Sequence, residues 1–205
     1  KTEMQNGFTA STAGFHRFNA LYQYIRQAHL FLENAKPIGV STDQEKLTEE
    51  DINRMKSEAK FFIAYSYFSL FELYGPVPVI EEAVDPSGTS FDFPRASVDE
   101  IVNYIDGLYQ EVLEENYLPL TLRKINDFTG EETENMNEMV RPTRAVVLAM
   151  RAKLWVYAAS KLFNGGYKEA MELTNSDGSR IFPDYNASKW ETAKKHLETF
   201  LQFAE

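Results

Sequence analysis

The stretch KSEAKFFIAYSYFSLFELYGPVPVI, residues 56–80, decides the fold of this chain. It opens as a helix, turns apolar on nearly every face and stops at Gly75-Pro76 before an extended Val77-Pro78-Val79-Ile80. Phe61, Phe62, Ile63, Ala64, Tyr65, Tyr67, Phe68, Leu70, Phe71, Leu73 and Tyr74 leave no broad polar face, so the helix is expected to be wrapped by other elements. Gly75 can turn left-handed and Pro76 cannot continue the helix, which sets its end at Tyr74. Thr48 with Asp51 three residues on marks its start, giving a helix over 49–74.

Working outward, Phe18, Leu21, Tyr22, Ile25, Ala28, His29 and Leu32 recur at helical spacing and predict an amphipathic helix over about 15–35, ending before Pro37-Ile38-Gly39. Ser97-Val98-Asp99-Glu100 reads as a capping box, followed by the stripe Ile101, Ile105, Leu108, Tyr109 and Val112 to about Tyr117. Pro142-Thr143 opens a fourth helix. Its Ala145, Ala149, Ala152 and Ala159 allow close approach of a neighbour beside Trp155 and Leu162, up to Asn164-Gly165-Gly166. Ser188-Lys189-Trp190-Glu191 predicts a further capping box and a helix carrying Trp190, Ala193, Leu197, Phe200, Leu201 and Ala204. No alternation at period two runs long enough to require a sheet, although Asp177-Gly178 can turn a small hairpin.

The fold class is therefore all-α, with tetratricopeptide-like helical pairs (an α-solenoid) and long inserted loops: 15–35 with 49–74, 97–117 with 142–163, and 188 onward with a missing partner. The two second helices begin about 93 residues apart instead of the 34 of a plain repeat, because loops at 76–96, 118–141 and 164–187 intervene. Loops of that length usually carry function or rest on another surface. Residues 1–205 form one helical domain; both ends look cut, so the chain is expected to be a fragment of a longer protein.

Composition narrows the function. With 43% hydrophobic and 25% charged residues the chain reads as globular. A net charge of −10 argues against a sequence-independent grip on nucleic acid, since such binding rests on clustered cations. The absence of cysteine removes disulfides, thiolate metal sites and a cysteine nucleophile. The apolar run at 61–71 is too short to cross a bilayer.

Set together, five blocks resemble the SusD-like (RagB/SusD) family. The first is SEAKFFIAYSYFSLFELYGPVPVI itself. The others are Phe18-x3-Tyr22-x2-Ile25-Arg26-x2-His29; Arg95-Ala96-Ser97-Val98-x2-Ile101-x3-Ile105; Ala145 to Gly166, ending Ala158-Ala159-Ser160-Lys161-Leu162-Phe163-Asn164-Gly165-Gly166; and Phe182-Pro183-Asp184-Tyr185 before Trp190-x2-Ala193. Each block is weak alone; five in order across 18–193 are strong. Phe18 stands where the family often has Trp, His29 where it often has Asn, and Lys161 where it usually has Pro. The resemblance implies a non-enzymatic protein of the outer-membrane cell surface. It would capture oligosaccharide or polysaccharide for a SusC-like TonB-dependent transporter and be held to the membrane only through a lipid anchor outside this chain. The alternative is a helical-repeat adaptor binding a protein or peptide in its groove; an α-helical glycoside hydrolase is a third reading.

The residues supply little else. His16, His29 and His196 fall on separate segments, so no metal site or cofactor is expected. Asn175-Ser176-Asp177-Gly178-Ser179 lacks the ligand spacing and closing Glu of a calcium loop and reads as a turn. Glu81-Glu82 and the cluster Glu131, Glu132, Glu134 and Glu138 look like solvated loop charges, not a rigidly held catalytic pair. Sugar binding uses aromatic faces bordered by hydrogen-bonding side chains, which leaves loop aromatics as the candidates: Phe8, Phe15, Phe91, Phe93, Phe128, Phe182 and Tyr185. Phe182 and Tyr185 are expected to lock the turn before Trp190, and Trp155 and Trp190 to be core. Phe15 with His16 at the mouth of the first helix, and Asp127-Phe128 in the acidic loop, are the ligand-binding candidates; contact with the transporter is the competing role for those loops.

Overall fold

The computed structural model describes residues 16–38, 47–84, 93–126, 128–134 and 138–204. It contains α1 (Phe18–Asn34), α2 (Glu49–Tyr74), α3 (Val98–Glu115), a hairpin of β1 (Arg123–Ile125) and β2 (Glu132–Glu134), α4 (Arg144–Ala159), a 3-10 turn (Lys168–Glu172) and α5 (Ser188–Ala204). Each α-helix packs on its neighbours in sequence, and α2 also touches α4, so the architecture is helical and solenoid-like, as the pairing of segments predicts. The last helix, expected to lack a partner, packs extensively on α4. Among the described residues no helix is long and apolar enough to cross a membrane.

Helix α2 forms the centre. Its start is a complete capping box: Thr48 Oγ1 accepts from the Asp51 N–H, and the Asp51 carboxylate accepts from the Thr48 N–H. Gly75 at φ 70° ends it. Ile63, Ala64, Tyr67, Phe68, Leu70 and Phe71 are fully buried, each large apolar side chain contributing about 1.5–3 kcal/mol of burial. The expectation of an all-round covered helix needs correction on one side: Phe62, Tyr65 and Leu73 stand about half-exposed. Helical spacing lets only part of a 26-residue cylinder meet its neighbours, and Phe62 and Tyr65 border open space between α1 and α2.

Ser97 and Glu100 form the predicted box that starts α3, which ends on Asn116 in the left-handed region at φ 59°. The start of α4 is capped by Thr143, and the helix ends at Ala159, four residues before the expected limit. The reason is Asn164: it is 1% exposed, its N–H donates to Ser160 O, and its amide exchanges hydrogen bonds with the backbone of Asn186. Gly165, at φ 70°, lies so close to Tyr185 that a Cβ would sit 2.3 Å from its nitrogen. The box expected at Ser188 and Glu191 does not form; the N–H and hydroxyl of Ser188 both donate to Asn186 Oδ1.

Trp155 is partly buried and its Nε1 donates to Asp106 Oδ1 at 2.8 Å. Arg151 donates to both oxygens of the same carboxylate at 2.6 and 2.8 Å, so Asp106 joins α3 to α4. Trp190, expected in the core, is 47% exposed because Ala193 and Lys189 take the inward positions of α5. Phe182 is buried and stacks on Phe163 at 6.2 Å, whereas the Tyr185 side chain is exposed and only its backbone closes on Gly165. The hairpin at Arg123–Ile125 and Glu132–Glu134 departs from the expectation of no sheet. Asn126 Oδ1 accepts from the N–H groups of Phe128 and Thr129, and Gly130 follows at φ 69°. Turn chemistry makes this ribbon, without any alternating pattern in its strands. Asp177-Gly178 also turns as predicted, with Thr174 and Arg180 bridged across it.

Candidate functional site

Beyond Gly75 the chain runs extended as a strap, residues 77–84, and three tyrosines from three helices lie beneath it. Tyr22 of α1 donates its hydroxyl to Pro78 O at 2.6 Å. Tyr67 of α2 donates to Ile80 O at 3.1 Å and accepts from the Ile80 N–H at 2.8 Å. Tyr104 of α3 meets the Tyr67 ring edge-on at 5.3 Å, as Tyr22 does at 6.1 Å. An extended segment carrying Pro78 has few backbone partners of its own; the Tyr22 and Tyr67 hydroxyls supply some of them. Burial raises the pKa of all three phenols, that of Tyr67 to about 12, so they remain hydrogen-bond donors at any physiological pH.

The strap forms one wall of a polar pocket of about 810 Å³. Val79 and Glu81 line it from the strap, Phe93 and Arg95 from the segment leading into α3, and Asn103 and Tyr104 from α3 itself. The fourth wall is the Asn175–Arg180 turn. That turn is built by Asp177, whose Oδ1 accepts from the Ser179 N–H at 2.8 Å and hydroxyl at 2.7 Å. Asn175 Nδ2 donates to Arg95 O at 2.9 Å and the Ala96 N–H donates to Val77 O at 3.2 Å, so turn, α3 entry and strap are mutually fixed. Hydrogen bonds from Ser97 hold the Glu100 carboxyl below its usual range, and those from Ser179 do the same for Asp177. Arg180 is engaged by Asp184 at 3.0 and 3.1 Å. Arg95 lines the pocket with no hydrogen-bond or ion-pair partner for its guanidinium among the described residues, and its charge acts on the Tyr22 phenol. Exposed donors, an acceptor carboxylate at Glu81 and the ring of Phe93 make a surface suited to a hydroxyl-rich molecule with apolar faces.

A second concavity of about 870 Å³ runs between α1 and α2. Its rim is aromatic, with Tyr24 and Phe31 facing Phe62 and Tyr65, and it has few polar groups. This is the stripe of α2 that the helices leave open.

Of the residues singled out from the sequence, His16 is exposed just before α1 and Phe128 is 99% exposed at the tip of the hairpin. Neither lines either concavity, and no contact joins them among the described residues. Phe15 and Asp127, with Phe8 and Phe91, lie outside the described residues. Sequence reasoning had Phe93 among its loop aromatics and Arg95 at the head of one of the five family-like blocks, but missed Asn103 and Tyr104. They occupy the outer edge of an amphipathic stripe and carry no signal until the strap is seen to cross them. Among the described residues no group of three or more His, Asp or Glu is placed to hold a metal ion.

Comparison with known proteins agrees with this architecture. A family described as "Starch-binding associating with outer membrane" (SusD-like) matches residues 3–157. The structure is similar to that of the protein BT4246, with 26% identity and a TM-score of 0.78 over 96% of this chain and 31% of that one. A SusD-like carbohydrate-binding protein from Bacteroides fragilis aligns at 16% identity and a TM-score of 0.60, over 95% of this chain and 28% of its own. The surface glycan-binding protein A from Bacteroides thetaiotaomicron, solved with laminarihexaose, aligns at 15% identity and a TM-score of 0.53, over 89% and 27%. The likenesses at 16% and 15% identity concern the fold. The chain spans under a third of the length of these structures. No curated protein matches it.

Proposed function

This chain belongs to the SusD-like family, and on that premise we propose that it captures a glycan at the outer-membrane surface and passes it, without cleavage, to a SusC-like TonB-dependent transporter. The observation that carries the reading is the polar pocket beneath the tyrosine-pinned strap. Phe93 offers a ring for stacking, Arg95 and Asn103 offer donors, and Glu81 offers an acceptor. Structural likeness to a laminarin-binding SusD-like protein and to the glycan-binding protein solved with laminarihexaose supports glycan as the ligand class. Capture without hydrolysis fits two of the carboxylates that line the pocket, Glu100 and Asp177. A glycosidase needs one carboxyl kept protonated by a raised pKa, whereas hydrogen bonds push Glu100 and Asp177 the other way. The apolar groove between α1 and α2 suits the protein partner, because a helix can seat its apolar face between two aromatic rims. His16 with Phe15, and Phe128 with Asp127, remain proposed as outlying ligand contacts, Phe128 by virtue of its full exposure at the hairpin tip.

Affinity electrophoresis of the full-length protein against soluble glycans, laminarin and starch included, tests this reading. Retardation by at least one glycan, lost in Phe93→Ala and Arg95→Ala, is the expected result. Release of reducing sugar from a retarding glycan would refute capture without cleavage. Retention by a peptide and by no glycan would favour the helical-repeat adaptor, whose ligand surface is the α1–α2 groove.

A further inference from the structure

One buried titratable side chain beneath the strap has a ring nitrogen with no hydrogen-bond partner among the described residues. His29 is 7% exposed on the inner face of α1. The backbone of Ile80 lies against its ring, and its Nε2 has no hydrogen-bond partner among the described residues. The charged groups facing it are Glu33 from α1 and Glu81 and Glu82 from the strap. From α2 the Tyr67 hydroxyl holds the same Ile80 backbone.

The strap is unevenly held. Its first half carries the short Tyr22 bond and the paired Tyr67 bonds. Its second half carries two long ones, Arg26 Nε to Val84 O and the Ala83 N–H to Glu33 Oε1, both 3.4 Å. A neutral His29 presents Nε2 as an acceptor that no group supplies. A protonated His29 presents a donor and a charge, and the nearest carboxylates on the strap are Glu81 and Glu82. Glu81 is also a wall of the polar pocket, and Glu82 lines a small cavity of about 150 Å³ between α1 and the strap, into which that corner can settle.

We propose that His29 is a positioning residue for the strap: its protonation draws the Glu81-Glu82 corner onto α1 and displaces the Glu81 wall of the polar pocket. Movement of the strap stands on the contacts beneath it, whereas its effect on glycan binding rests on the function proposed for the pocket. Burial holds the imidazole below its ordinary pKa, while the Ile80 backbone and then Glu33, Glu81 and Glu82 pull the other way. The neutral form therefore prevails at neutral pH, and the strap responds as the pH falls below about 6.5.

The test is hydrogen exchange at the Ile80 and Ala83 amides of the full-length protein, corrected for intrinsic rates, at about pH 7.5 and about pH 5.5. Wild type is expected to gain about tenfold protection at Ala83 at the lower pH, and His29→Gln and the double variant Glu81→Gln/Glu82→Gln to gain none. An equal gain in His29→Gln, or no gain in wild type, overturns the proposal. If His29→Gln does not fold, the wild-type imidazole and the Ala83 amide are titrated together by NMR. A shared midpoint supports the proposal and separate midpoints overturn it. Glycan retardation measured at the same two pH values tests the pocket separately: a strap that responds while retardation stays constant keeps the role of His29 and refutes the pocket.

Discussion

Replacing Tyr67 by Phe removes a single oxygen from the centre of the molecule, and its effect follows from the contacts of that oxygen. The hydroxyl donates to Ile80 O at 3.1 Å and accepts from the Ile80 N–H at 2.8 Å, so one atom satisfies both polar groups of one strap residue. The ring is fully buried and keeps its edge-on contacts with Tyr22 and Tyr104, so packing is preserved and the loss is that of hydrogen bonds. Each such bond contributes about 0.5–1.5 kcal/mol net, and a buried group left unpaired costs about 1–3 kcal/mol. Ile80 is only half-buried, so water can reach part of what Tyr67 abandons; the expected loss is about 2 kcal/mol. For a chain of this size that corresponds to about 4–8 °C in Tm. Denaturant unfolding of wild type and Tyr67→Phe measures the difference, and exchange at the Ile80 amide localises it. Tyr22→Phe, which loses one bond to Pro78, is expected to cost about 1 kcal/mol. A Tyr67→Phe loss under about 0.5 kcal/mol with Ile80 protection unchanged would show that the strap is held by something other than the tyrosines.

Three further outcomes follow from other parts of the structure. Gly165→Ala is expected to destabilise by more than about 2 kcal/mol, because a Cβ at a positive φ would also strike the Tyr185 backbone; Gly178→Ala, at φ 85° in open space, is expected to cost about 1 kcal/mol, and thermal melts compare them. Asp106→Ala strips Arg151 and the Trp155 indole of their shared acceptor between α3 and α4, and is expected to cost about 3 kcal/mol in urea unfolding, with Asp106→Asn restoring part. Burial, then Arg151, lower the pKa of His196, against the pull of Asp106. The unfolded chain therefore binds its proton first, and the His196 contribution to stability, complete above about pH 6.5, is lost as the pH falls through the folded-state value; His196→Gln is expected to flatten that slope in unfolding curves taken across the range.

The helices were readable because local and tertiary demands agree in them. Thr48 with Asp51, Ser97 with Glu100 and Gly75 act within a turn of their own position, so 49–74 reads to the residue. Asn164 acts across 22 residues on the backbone of Asn186, and nothing local announces that contact or that the Asn186 side chain engages Ser188 in place of the expected box. The hairpin at 123–134 was hidden for a related reason: Asn126 and Gly130 make it, while its short strands carry no alternation. The all-round apolarity of α2 overstated its burial, since Phe62 and Tyr65 belong to a groove instead of a core. The polar pocket was the least legible part. Its walls come from residues 79 to 180, and a search for aromatics in loops finds Phe93 but not the helical Asn103 and Tyr104 opposite.

The central claim is that this chain holds a glycan in the pocket under the strap. Isothermal titration of the full-length protein with the glycan that retards it most, repeated for Arg95→Ala and for Phe62→Ala in the α1–α2 groove, tests it most directly. The account predicts at least about tenfold weaker binding for Arg95→Ala, on the order of one hydrogen bond to a charged group, and unchanged binding for Phe62→Ala. Unchanged affinity in Arg95→Ala, or loss in Phe62→Ala alone, would contradict it.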